Sequence, residues 1–75
     1  MTVKVITFGS LTEIMDKEFM AQATDTNSLM SSLTEKNDGL NKRKLILAVN
    51  NTIIQENTIL NEHDVVAIMP PYSGG

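Results

Sequence analysis

The residues of this chain whose types and spacing could support chemistry are the last six, Pro-Pro-Tyr-Ser-Gly-Gly at positions 70–75. Proline fixes φ near −65° and biases the preceding residue toward extended backbone, so we expect Pro70 and Pro71 to keep the start of this tail straight. Gly74 and Gly75 lack side chains and could pass through a gap too narrow for a Cβ atom. The carboxylate of Gly75 would be the least hindered that a peptide can offer. The sequence therefore predicts an extended tail that presents an unhindered carboxylate.

A frayed end is the alternative interpretation of the same residues, because chain termini are commonly disordered and a Gly-Gly pair needs no functional reason. The proline pair and the apolar strand predicted directly before it favour a function. Six extended residues span about 20 Å, which sets the reach of such a tail.

The composition limits which functions remain. Seventy-five residues make one domain, which we place at residues 1–69. The absence of cysteine excludes disulfides, thiolate metal sites and a cysteine nucleophile. The acidic residues show no metal-ligand spacing, so we predict no metal site, and we interpret the single histidine, His63, as a turn residue. A net charge of −3 argues against nucleic acid as a partner.

The hydropathy pattern gives no indication of a membrane protein. No window approaches the ~18 apolar residues that a membrane-spanning helix needs. The first eight residues alternate in hydropathy and do not resemble a signal peptide. We therefore expect a cytoplasmic location and no membrane partner.

Five segments have the β-branched, apolar or alternating pattern that is typical of strands. They are Val3–Phe8, Glu18–Ala23, Leu45–Val49, Thr52–Ile54 and Val65–Met69. Asn50 and Asn51 predict a tight turn between the third and fourth strands. Ile59 and Leu60 are predicted to reach the core from the polar segment that follows.

One main helix is predicted over 28–37, with Leu29, Met30 and Leu33 forming a narrow apolar stripe. Asp25, Thr26 or Asn27 could cap its amino end. A shorter helical turn is predicted after the first strand, where the spacing of Ser10 and Glu13 fits a capping box. That turn would direct Leu11, Ile14 and Met15 toward the core.

A single helix must pack on one face of the sheet, because no other predicted element can cover it. The first and last strands can then lie side by side as parallel neighbours. This arrangement is an α+β, β-grasp (ubiquitin-like) fold, with a mixed sheet of about five strands. Val66 and Ile68 would face the helix, and Val65, Ala67 and Met69 the open face, beside Ile46 or Ala48. An exposed apolar patch of this kind indicates a partner site, unless loops cover it.

An ordered set of residues resembles the small, sulfur-carrying subunit of molybdopterin synthase. The set comprises Ala48-Val49-Asn50, Leu60, Asp64-Val65-Val66-Ala67 and the Pro-Pro-x-x-Gly-Gly ending. Phe8 and the turn over 10–13 are similar to the first loop of that family. Two positions depart from the family pattern: His63 stands where the family usually has glycine, and Thr12 where it commonly has arginine.

The resemblance implies a carrier that is not itself an enzyme. An ATP-dependent adenylating enzyme would activate the carboxylate of Gly75, a sulfur donor would convert the acyl-adenylate to a thiocarboxylate, and no cofactor would be bound by the carrier. The large catalytic subunit would pass the sulfur to a cyclic pyranopterin monophosphate, within a heterotetramer of two small and two large subunits. The tail residues Pro70, Pro71, Tyr72, Ser73 and Gly74 would insert into that subunit, and Phe8, Val65, Ala67 and Met69 would bind partners.

Two other classes of function remain open at the level of sequence. A thiamine-pathway sulfur carrier or a ubiquitin-like protein modifier would share the fold and the diglycine. A plain β-grasp binding module would carry the same ending by coincidence. The proline pair before the diglycine, together with the length of the chain, favours the molybdopterin pathway.

Overall fold

The computed structural model describes residues 1–37 and 44–70 of the protein. The predicted tail residues 71–75 therefore lie outside the described residues. The elements in chain order are β1 (Thr2–Thr7), a 3-10 helix (Gly9–Glu13), β2 (Glu18–Gln22), α1 (Thr26–Lys36), β3 (Ile46–Val49), β4 (Thr52–Ile54) and β5 (Val65–Met69). Among the described residues, no helix is long and apolar enough to span a membrane.

The five strands form one mixed sheet in the order β2-β1-β5-β3-β4. β1 pairs antiparallel with β2 and parallel with β5, and β3 pairs antiparallel with both β4 and β5. The parallel pair requires a long crossover, and α1 lies within it. This topology is the predicted β-grasp fold, with the last strand at the centre of the sheet.

The core lies between α1 and one face of the sheet. Alternation along β1 buries Val3, Val5 and Thr7, and alternation along β5 buries Val66 and Ile68. The register places Val5 opposite Val66 and Thr7 opposite Ile68, so these side chains form adjacent rows. Leu29 and Leu33 of α1, together with Leu11, Met15 and Leu60, complete the core.

The amino end of α1 is held by two side chains. Asp25 is the N-cap, and its carboxylate accepts a hydrogen bond from the Ser28 amide at 2.8 Å. Asn57, from the segment after β4, accepts hydrogen bonds from the Asn27 amide and the Thr26 hydroxyl. Since the first amides of a helix have no partner within it, these contacts satisfy groups that would otherwise be left without one. They also fasten the helix to the chain that leads into β5.

Hydrogen bonds from Ser28, through its side chain and its amide, and from the Asn57 side chain hold the pKa of Asp25 below its usual range. The charged form of this carboxyl group is therefore favoured at the positive end of the helix dipole. The cap and the dipole act in the same direction.

Two sequence expectations about local structure are wrong. The N-cap of the 3-10 helix is Phe8, with no side-chain capping bond, so Ser10 lies inside the first turn and is not the start of a capping box. Ile59 is 69% exposed, whereas Leu60 is buried. A bridge between Asp25 and Ile59 fixes the backbone there, and consecutive residues in extended chain point in opposite directions.

Candidate functional site

The candidate site is built on β5, which runs directly into the predicted tail. Met69 ends the strand, and Pro70, which is half-buried, is the next residue. β5 is the central strand and is paired on both sides, by β1 and β3, so its carboxyl end is held by neighbouring strands. A tail that begins there starts from a fixed point.

The open face of β5 carries the residues that the sequence assigned to it. Val65 lies opposite Lys4, and Ala67 lies opposite Ile6 on β1. On the other side, Ala67 lies opposite Ala48 and Met69 opposite Ile46. The predicted positions of Val65, Ala67 and Met69 on the face away from α1 are therefore confirmed, as is their proximity to β3. Their role in binding a partner stays a prediction.

Phe8 lies at the end of the sheet from which the tail departs. Its amide donates a hydrogen bond to the Ile68 carbonyl at 3.1 Å, and its side chain is 45% exposed. The alternation of β1 places Phe8 on the same face as Lys4 and Ile6. We use the term open-face strip for the apolar residues of this face that lie outside β2: Ile6, Phe8, Ile46, Ala48, Ile53, Val65, Ala67 and Met69.

Ile53 is a member of the strip that sequence reasoning did not identify. It is 62% exposed on the edge strand β4, and it lies opposite Ala48 in the register. Ile53 and Ile54 are consecutive and both apolar, so the sequence alone does not say which of them faces the helix. Only the pairing of β4 with β3 decides it.

An ion pair lies on the β2 side of the strip. The Lys4 ammonium is 3.3 Å from a Glu18 carboxylate oxygen, and the two side chains are 41% and 59% exposed. An ion pair this exposed contributes little to stability. Toward β2 the open face therefore combines this ion pair with the exposed side chain of Met20, which lies opposite Lys4, whereas toward β4 it is apolar.

Asn50 fixes the start of β5. Its backbone amide donates to the Val65 carbonyl at 2.8 Å, and its side-chain oxygen accepts from the Val65 amide at 3.0 Å. Its side-chain amide donates to the Asp64 carboxylate at 2.9 Å. The Asn61 amide donates to the other carboxylate oxygen of Asp64 at 2.8 Å. These bonds lower the pKa of Asp64 below its usual range, with the Asn50 contribution the larger.

The three described residues other than glycine with positive φ lie in the two turns that these bonds join. Asn50 and Asn51 have φ of 50° and 70°, as the predicted turn requires, and His63 has φ of 71°. The His63 amide donates to the Thr2 carbonyl at 2.9 Å. The interpretation of His63 as a turn residue is therefore confirmed, and its backbone adopts the geometry that glycine would adopt there.

Two grooves lie among the described residues. One, of about 720 Å³, runs between β2 and α1 and includes Phe19 and Leu33. The other, of about 520 Å³, lies between α1 and the β3–β4 hairpin and includes Ile46 and Ile53 of the open-face strip. Pro70 lines neither of these two grooves.

Comparison with known proteins agrees with the geometry. The model of the ThiS family matches residues 5–75. A chain in the complex of subunits 1 and 2 of molybdopterin-converting factor from Helicobacter pylori is 31% identical, with a TM-score of 0.75 and complete coverage of both chains. Small archaeal modifier protein 1 from Methanosarcina acetivorans is 25% identical, with a TM-score of 0.83, over 99% of this chain and 96% of its own.

A third solved structure supports the fold alone. It is a putative molybdopterin converting factor, subunit 1, from Pyrococcus furiosus, which is 18% identical with a TM-score of 0.85 and covers 95% of this chain and 98% of its own. The family match extends over nearly the whole length, including the tail, and the shared fold is the ubiquitin-like β-grasp. This chain belongs to the ThiS family of small sulfur-carrier proteins.

Proposed function

We propose that this protein is the sulfur carrier of molybdenum cofactor biosynthesis, the small subunit of molybdopterin synthase. The observation that carries the proposal is the continuity of β5. Its open face is apolar from Val65 to Met69, and the same strand continues into the Pro-Pro-x-x-Gly-Gly sequence. One strand thus combines a surface for a partner with a chain end that the partner can receive.

The first step activates the Gly75 carboxylate. A carboxylate is a poor electrophile, since attack must add charge to a group that is already anionic. An ATP-dependent adenylating enzyme attaches AMP to the carboxylate oxygen and releases pyrophosphate. Sulfide, delivered by a sulfur donor, then attacks the acyl carbon and displaces AMP, which leaves a thiocarboxylate on Gly75. No electrons are exchanged when the donor supplies sulfur at the sulfide level.

The second step transfers the sulfur. The tail, from Pro70 through Pro71, Tyr72, Ser73 and Gly74 to Gly75, enters the large catalytic subunit. The thiocarboxylate sulfur forms a bond to an oxygen-bearing carbon of the cyclic pyranopterin monophosphate as the carbon–oxygen bond there breaks, and that oxygen leaves as water or stays on the phosphate. Water then cleaves the bond between that sulfur and the acyl carbon, which restores the Gly75 carboxylate. Two such transfers build the dithiolene of molybdopterin, and the catalytic residues lie on the large subunit.

Docking is assigned to the open-face strip. Phe8 and Met69 lie next to the base of the tail, and Ala67 and Val65 continue the apolar surface along β5. A partner that covers these residues would receive the tail at a fixed position. Met and Val side chains form an adaptable apolar surface, which suits a carrier that must meet both an adenylating enzyme and a large subunit. We place the protein in the cytoplasm, in a heterotetramer of two small and two large subunits.

Intact-mass measurement tests the chemistry. The protein is incubated with a molybdopterin-synthase adenylating enzyme, ATP and sulfide, and its mass should rise by the difference between one sulfur and one oxygen atom. A chain truncated after Ser73 should remain folded and gain nothing. A mass increase in the truncated chain, or none in the full chain, would contradict the proposal.

A second candidate function is a ubiquitin-like modifier, favoured by the 25% identity to small archaeal modifier protein 1 over nearly the full length. In that case the activated Gly75 carbonyl would be attacked by a lysine amine, with loss of AMP, to give an isopeptide bond. Peptide mapping would distinguish the two functions, because a modifier leaves Gly75 attached to lysines of other proteins. A thiamine-pathway carrier would form the same thiocarboxylate, so the two carriers are distinguished by the molecule to which each transfers its sulfur.

A further inference from the structure

The junction between β1 and the 3-10 helix touches the base of the tail. Gly9 has φ of +60°, and a Cβ atom placed on it would lie 3.1 Å from Pro70 Cγ and 3.5 Å from Pro70 Cδ. Carbon atoms attract most at separations of about 3.5–4.0 Å, so the shorter distance is repulsive. The proline ring thus occupies space that is free only because residue 9 is glycine.

The backbone on the Gly9 side of this contact is held in place. The Phe8 amide bonds to the Ile68 carbonyl, and the Thr12 hydroxyl donates to the Gly9 carbonyl at 2.9 Å. The Leu11 amide donates to the Phe8 carbonyl at 3.2 Å, and the Leu11 side chain is fully buried. The few tenths of an ångström that a Cβ atom at position 9 needs would therefore have to come from the Pro70 side.

On the Pro70 side, Met69 is held by its pairing with Ile46, and the ring fixes the φ of Pro70. A collision larger than a change of ring pucker can absorb would rotate the chain beyond Met69, which is where the tail begins. A tilt of about 10° at the base would displace an end about 20 Å away by roughly 3 Å.

We propose that Gly9 is a positioning residue that sets the direction in which the tail leaves the body. This inference rests on the proposed function, since it gives the tail a target that must be reached. Gly9 makes no contact with the reacting atoms. It acts through the Pro70 ring, which lies against it.

The variant that tests the inference is Gly9→Ala. A thiocarboxylated chain, made by sulfide cleavage of a C-terminal thioester, is mixed with a molybdopterin synthase large subunit and cyclic pyranopterin monophosphate. Because docking through the open-face strip is retained, KM should change less than about twofold, while kcat should fall about tenfold or more, as misplacement of a reacting group predicts.

Asn51→Ala is the matched control. Asn51 has φ of 70° in an exposed turn, so alanine there introduces the same backbone strain without approaching Pro70. If Gly9→Ala does not fold, Gly9→Asn replaces it, because asparagine tolerates positive φ while its Cβ still meets the ring. Equal kcat for the position 9 variant and Asn51→Ala would overturn the inference.

Removal of the proline ring should restore part of the activity that Gly9→Ala loses. In a cycle with Pro70→Ala, the loss of kcat caused by Gly9→Ala should shrink at least threefold, since alanine at position 70 has no Cγ to collide with. An undiminished loss would mean that residue 9 acts by another route, and the inference would fail.

The contact also has a readout that does not depend on activity. The unmodified chain should show a nuclear Overhauser effect between the Gly9 Hα protons and the Pro70 Hγ protons. If the effect is present but no sulfur reaches the pyranopterin, the proposed function fails and the positioning of the tail by Gly9 stands. If the effect is absent, the inference fails whatever the activity.

Discussion

The two faces of the sheet are built from similar residues but are covered differently. Along β5, Val66 and Ile68 are completely buried beneath α1. On the other face, Val65, Ala67 and Met69 are partly exposed. Residue type does not separate the two sets. What separates them is that one helix can cover only one face.

The difference shows how this small fold divides its apolar residues. The helix face supplies the stability of the domain, and the open face keeps apolar surface available next to the base of the tail. A chain of 75 residues has little stability to spare. Substitutions should therefore separate clearly into those that affect folding and those that affect docking.

The largest expected effect on stability is on the helix face. Leu29→Ala removes a fully buried side chain and should lower the free energy of unfolding by about 2–5 kcal/mol, through lost burial and a cavity. Urea denaturation at low temperature measures it. Ile53→Ala, on the open face, is the control and should cost much less; equal losses would remove the distinction between the faces.

A smaller loss is expected at the amino end of the helix. Asn57→Ala removes the acceptor for the Asn27 amide and the Thr26 hydroxyl and should cost about 1–2 kcal/mol of unfolding free energy. Gln55→Ala, exposed in the same segment, is the control. A loss at Asn57 no greater than that at Gln55 would show that the second cap does not support the helix.

Substitutions on the open face should weaken partner binding and leave the free energy of unfolding almost unchanged. Phe8→Ala should change the free energy of unfolding by less than about 0.5 kcal/mol, because much of the side chain is already exposed. Calorimetric titration with a molybdopterin synthase large subunit should show at least about tenfold weaker binding, as expected for an aromatic contact at the centre of an interface. Unchanged affinity would exclude Phe8 from the docking surface.

The smallest effect concerns pH and the start of β5. Hydrogen bonds from Asn50 and Asn61 lower the pKa of Asp64 in the folded protein, and unfolding returns it to about 3.9. The unfolded chain therefore binds more protons below that pH, so the contribution to stability is present above about pH 4 and is lost as the pH falls through the lower, folded pKa. The urea concentration at the midpoint of unfolding should fall less steeply with decreasing pH in Asp64→Asn than in the unsubstituted protein. Parallel plots of midpoint against pH for the two proteins would contradict this.

The sequence predicted the features that depend on short-range patterns. The bounds of β4 and β5, the apolar stripe of α1 and the positive φ at Asn50 and Asn51 all follow from local periodicity or turn chemistry. The division of β5 between the two faces followed as well, because strict alternation and a single helix leave one solution.

The features that the sequence did not predict depend on distant parts of the chain. Asn57 caps a helix that begins 31 residues earlier, and Gly9 meets Pro70 only because β1 and β5 are parallel neighbours. Ile53 faces away from the helix through the register of β4. Each of these depends on the exact register between segments that are far apart in the chain, which composition and spacing do not specify.

The most direct test of the account is a single-turnover transfer measurement. The chain carrying a thiocarboxylate on Gly75 is mixed with a molybdopterin synthase large subunit and cyclic pyranopterin monophosphate, and the mass of the chain and the sulfur content of the pterin are followed together. The account predicts that the chain returns to its carboxylate mass as sulfur appears on the pterin. A chain that binds the large subunit but keeps its sulfur, or loses it to water without labelling the pterin, would contradict the account.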